Sequence, residues 1–67
     1  MINKRLADRI SFYFDILNVS VDVKDWERAQ VLLAKLSVYY THFDDIQTSM
    51  YHDIEDIVER ETAIVLK

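Results

Sequence analysis

The 67 residues include no glycine, no proline and no cysteine. Without glycine or proline, the residues that most often end a helix or bend a chain are missing from every position. Without cysteine no disulfide can form, and no Cys/His spacing offers a structural zinc site. The absence of thiols fits a reducing compartment. Long apolar runs are missing too: the run from Val31 to Ala34 is stopped by Lys35, far short of the ~20 residues that span a bilayer. Lys4, Arg5 and Arg9 are followed by no signal-type apolar stretch, because Asp8, Ser11 and Asp15 interrupt it. The expectation is a cytoplasmic chain that engages no membrane.

Positive charge is scarce. The net charge is −4. Residues 1–33 balance five bases with five acids, whereas residues 34–67 set three bases against seven acids. Phosphate-backbone binding depends on Lys and Arg, so direct nucleic-acid binding is not expected. The basic trio of Lys4, Arg5 and Arg9 reads as ordinary solvation, or as a complement to the acidic half of a neighbouring subunit.

What the chain has is helical periodicity. Trp26, Ala29, Leu33, Leu36, Tyr40, Phe43, Met50, Ile54, Ile57 and Ile64 recur at three- and four-residue spacing, with Gln47 and Glu61 as the polar members of the seam. Ile2, Leu6, Ile10, Tyr13 or Phe14, and Leu17 repeat the pattern upstream. The spacing predicts a first helix over about residues 3–18, ended at Asn18, which tolerates the left-handed conformation that closes helices. Val19, Ser20, Val21, Asp22 and Val23 alternate and read as an extended connector. Asp22 then serves as N-cap of a second helix, with Asp25 at its third position and Val21 and Trp26 as a hydrophobic staple.

The fold class expected is all-α: one small domain over 1–67, an antiparallel helical hairpin with helix 1 at about 3–18 and helix 2 at about 23–65. Residues Ser37 to Asp45 have mediocre helix propensity, and Thr41 with Asp44 offers a cap for a third helix. A break near residue 41 would turn the hairpin into a three-helix bundle. The seam crosses this region in phase, which favours the continuous helix.

A chain this short buries only about 60% of the surface it exposes when unfolded, and small scaffolds usually need a staple. With disulfides excluded, oligomerisation is the device left. A first helix of about 16 residues is roughly 25 Å long and covers the second only to about Tyr40. In the continuous-helix arrangement Phe43, Met50, Tyr51, Ile54, Ile57, Val58 and Ile64 would need a second chain to cover them, and these seven are the expected oligomer interface. Tyr51 is the preferred contact among them, because Tyr commonly anchors interfaces.

Chemistry-bearing constellations are weak. His42 with Asp45, and His52 with Asp53 and Asp56, carry metal-ligand residue types, yet they fall on the solvent side, and Asp45 to His52 spans about 10 Å along the helix. No metal, cofactor or catalytic residue is expected. Ser11, Ser20, Ser37 and Ser49 sit in no glycine-containing elbow. The acids Asp45, Asp53, Asp56 and Glu59 belong to a stretch of seven acids and one arginine over residues 44–61. Such a stretch is usually a solvated helix face; its alternative use is to imitate phosphates in the basic groove of a nucleic-acid enzyme. Two functions therefore stand at this point: a non-catalytic interaction or assembly module, most simply a homodimer and open to another protein partner, and an acidic inhibitor.

Overall fold

The structure is a computed structural model that describes residues 4–65, with side-chain surroundings as far as Ala63. It is all-helical. Helix α1 runs Lys4–Asp22, α2 Trp26–Ser37 and α3 Asp45–Val65, with a 3-10 turn at Tyr40–His42 between the last two. The expected start near Asn3 and the expected contact at Ile64 lie outside the described residues.

Helix α1 passes through the segment expected to be extended. Leu17 and Ser20 are buried and Val21 packs on the core, so the inward spacing Ile10, Phe14, Leu17, Val21 continues without a break. Five alternating residues also fit one helical turn, and the three-four pattern overrides period two here. Ser20 tolerates burial because its hydroxyl donates to the Ile16 carbonyl at 2.9 Å. The helix closes four residues beyond Asn18. Asp25 N–H donates to Ser20 O at 2.8 Å and Lys24 N–H to Val21 O at 3.0 Å, around Lys24 at φ 60°. That is a Schellman closure in which lysine occupies the left-handed position usually given to glycine.

The cap of α2 is one turn later than expected. Asp25, not Asp22, is the N-cap, its carboxylate accepting the Arg28 N–H at 3.2 Å. Glu27 in the first turn and Lys35 in the last both complement the helix dipole. Ala29, Leu32, Leu33 and Leu36 form the buried face.

The helix expected to run on to residue 65 stops at Ser37. Val38 keeps helical angles, Tyr39 leaves them (φ −103°, ψ 10°), and the backbone is extended at Phe43 (φ −72°, ψ 142°). Helix α3 then begins with a reciprocal capping box. Gln47 N–H donates to Asp44 Oδ1 at 2.7 Å, and Asp44 N–H donates to Gln47 Oε1 at 3.2 Å. The Thr48 N–H and hydroxyl both donate to the Asp44 carbonyl at 2.9 Å. Asp44 caps with Gln47 as its partner, in place of Thr41 with Asp44.

This interruption changes what covers what. Helix α3 packs against α2, and Tyr51, Ile54 and Val58 join Ile10, Phe14, Leu17, Ala29, Leu32, Leu33 and Leu36 in one core, with Phe43 and Met50 packed against it. The reach of α1 therefore does not limit the core, because α3 comes back to it. Rings knit the interruption to the helices: Phe14 and Phe43 meet edge-on at 5.2 Å, and Tyr40 lies 5.4 Å from Phe43 and 5.7 Å from Tyr51.

Candidate interaction surfaces

Three surfaces carry the residues singled out by the sequence, and one carries residues the sequence reading passed over. The first is the C-terminal seam. Tyr51, Ile54 and Val58 are 7%, 7% and 2% exposed within a single chain, and Phe43, Met50 and Ile57 are half-buried. Side chains expected to wait for a second chain are thus covered by their own. Tyr51 also spends its hydroxyl internally, donating to the Leu33 carbonyl at 3.4 Å. Burial first, then the nearby Glu55 and Tyr40, pushes the Tyr51 phenol above its ordinary value.

The second surface is the acidic face of α3. Asp45, Asp53, Asp56 and Glu59 are all exposed, as expected for a solvated side. Asp56 meets Arg60 at 3.3 Å, an exposed pair of small energetic weight. Among the described residues Asp45, Asp53 and Glu59 make no ion pair.

The third is the pair of histidines. His42 and His52 are both exposed, and neither meets the carboxylates proposed for it from spacing. His52 instead shares a 2.7 Å hydrogen bond between its Nε2 and the Tyr40 hydroxyl, while its Nδ1 lies 3.7 Å from Glu55 Oε1. Among the described residues no group of three or more His, Cys, Asp or Glu is placed to hold a metal ion. The chemical effect of the Tyr40–His52 bond is local: it ties the 3-10 turn to the second turn of α3.

The surface passed over is the outer side of α1. Phe12, Ile16, Val19 and Val23 recur at four, three and four residues, and Phe12, Val19 and Val23 are 60%, 59% and 67% exposed. Phe12, Ile16 and Val19 line an open cleft together with Asp15 and Arg28 of α2. The signal was in the sequence, but it emerges only when residues 19–23 are taken as helix. One further property sets α1 apart. Lys4 and Arg5 occupy its first turn and Asp22 its last, with no acid at the start and no base at the end. Both ends oppose the helix dipole, at roughly 0.3–1 kcal/mol per charge. Further along, Arg9 donates a long hydrogen bond of 3.5 Å to the Tyr39 hydroxyl, and Tyr39 and then Tyr13 push the guanidinium above its ordinary value.

Among the described residues no helix is long and apolar enough to cross a membrane. Compared with protein families, curated proteins and solved structures, the chain matches none.

Proposed function

We propose that this chain is a non-catalytic interaction and assembly module that associates with its own copies, most simply as a cytoplasmic dimer, through the outer face of α1. The observation that carries this reading is the exposure of Phe12 and Val19 on α1 and of Val23 just beyond its end, with Ile16, half-buried against the core, between them. Exposed apolar side chains scattered singly need no explanation, but a contiguous line along a helix is the usual mark of a contact surface. Charge selects the occupant. A second α1 laid antiparallel brings the Lys4 and Arg5 end of each copy toward the Asp22 end of the other, and each helix terminus meets the charge its dipole favours. In this reading the three helices of one copy form a small bundle with its core closed, and the α1 face is left for association.

Light scattering on a sizing column tests it. Wild type is expected as an oligomer, and Phe12→Asp with Val19→Asp as a monomer with unchanged helical circular dichroism, since both side chains are on the surface. A wild-type monomer at every concentration refutes the reading. Asp45, Asp53 and Glu59, which make no ion pair among the described residues, favour a second reading, an acidic partner for a basic groove. It predicts that a polycationic probe is captured in a salt-sensitive way, and that Asp53→Asn, Asp56→Asn and Glu59→Gln together abolish capture.

A further inference from the structure

The apolar seam keeps its phase across a segment that is not helical. Leu36, Tyr40, Phe43, Gln47, Met50 and Ile54 are spaced four, three, four, three and four, although the chain leaves the helix between Ser37 and Asp45. A connector between two packed helices carries no such requirement, since each helix sets its own inward face. The segment also lacks the residues that would forbid a helix: it has no proline and no glycine. Val38 already has helical angles, whereas Phe43 is extended. What holds the interruption is side-chain chemistry: the Asp44–Gln47 box, the Tyr40–His52 hydrogen bond and the aromatic contacts of Phe43.

From this we infer that the chain has a second native arrangement, in which residues 26–65 form one helix and α3 is exchanged between two copies. The core-facing side of α3, with Phe43, Met50, Tyr51, Ile54 and Val58, then packs on α1 and α2 of a second copy. The partner is another molecule of this chain, because the contacts α3 makes with α1 and α2 in the closed form can recur across the exchange, and only those with the connector are given up. The Tyr51–Leu33 contact sets an approximate register, with the two-fold axis near the middle of the segment that straightens. The in-phase seam is what such a helix requires, because Tyr40, exposed in the closed form, and half-buried Phe43 fall on the apolar stripe when the bend is removed. The exchange uses a surface separate from the α1 face and goes beyond the function proposed above.

The test measures one intramolecular distance and blocks one conformer. Glu27 and Asp56 are both exposed, on the outward sides of α2 and α3. Spin labels at Glu27→Cys and Asp56→Cys should lie about 20–30 Å apart when α3 packs on its own α2, with the helix axes about 8–10 Å apart and both labels pointing outward. The same labels stand about 44 Å apart on a continuous helix at 1.5 Å per residue. Doubly labelled chains are refolded with excess unlabelled protein, so that only distances within one chain are read. A long-distance population that grows with total protein concentration in the wild-type background is the expected result.

Asp45→Pro supplies the block. Asp45 is the first residue of α3, where proline is tolerated, whereas in mid-helix proline costs a hydrogen bond and a clash. The substitution should keep the short distance and lower the long-distance population by roughly 100-fold or more. Asp44→Ala, which removes the box, should raise it. A short distance alone at every concentration overturns the exchange. If scattering still reports an oligomer in that case, the proposed function stands and α3 exchange alone is lost; a long distance in a sample whose association survives in Phe12→Asp with Val19→Asp supports exchange and removes the α1 face.

Discussion

Asp44 is the residue on which the division of the C-terminal half depends, and Asp44→Ala measures that dependence. Its carboxylate accepts a 2.7 Å hydrogen bond from the Gln47 N–H, one of the donors that the start of α3 leaves without a helical partner. Losing an Asp cap costs about 1 kcal/mol, within a range of roughly 0.5–2. Part of this comes from the negative charge at the helix start, worth about 0.3–1 kcal/mol where exposed. Asp44→Asn keeps the acceptor and gives up only the charge, so its cost should be about half. In a domain of this size 1 kcal/mol moves Tm by about 4–8 °C. Thermal unfolding followed by circular dichroism reads that shift, at one low protein concentration because association makes Tm concentration-dependent. Asp53→Ala is the control. It removes an exposed acid of the same helix that makes no ion pair among the described residues, and should stay within about 0.5 kcal/mol of wild type. If Asp44→Ala is no more destabilising than Asp53→Ala, the carboxylate does not hold the start of α3 and the reasoning fails.

Lys24→Gly should stabilise the chain by about 0.5–1 kcal/mol, since the left-handed conformation at φ 60° costs a side-chain-bearing residue roughly 1–2 kcal/mol, offset in part by the greater unfolded-state freedom of glycine. A lower urea midpoint for Lys24→Gly would contradict this. Tyr51→Phe should leave stability near neutral pH within about 1 kcal/mol, because the hydroxyl's bond to Leu33 is long at 3.4 Å. At high pH it should flatten the loss of stability. The folded phenol holds its proton above the unfolded value of about 10, so its contribution is intact below that pH and is lost as pH rises through the folded value. Urea midpoints measured up to about pH 11 would show identical slopes for both proteins if burial of this phenol were irrelevant.

The helical class was legible from spacing alone. Leu33, Leu36 and Ile54, placed on the inward seam by their periodicity, are all buried. The boundaries were harder to read, and for a common reason. In a chain without glycine or proline the boundaries of α1, α2 and the start of α3 rest on a backbone closure at Lys24 and on aspartate caps that residue type alone does not announce. Asn18, the expected terminator, sits mid-helix, while Lys24 takes the left-handed position. Of the aspartates beside helix starts, Asp25 and Asp44 act as caps and Asp22 does not. The Asp-x-x-Gln box at residues 44–47 was present in the sequence but was outweighed by the in-phase seam. Where that boundary falls bears on the candidate surface. A straight helix leaves Tyr51, Ile54 and Val58 uncovered, whereas a folded one buries them and makes the Phe12, Val19 and Val23 side of α1 the exposed apolar surface.

The two aspartate caps bear on how this protein can change over generations. Backbone-level punctuation by glycine or proline is robust to neighbouring substitutions, but punctuation by a carboxylate depends on one short side chain reaching one amide. Aspartate to glutamate is a single-base change that preserves charge and shifts the oxygens outward by a methylene. At position 44 it would weaken a helix boundary while leaving the net charge untouched, so how firmly this architecture is divided into segments is itself a trait open to drift.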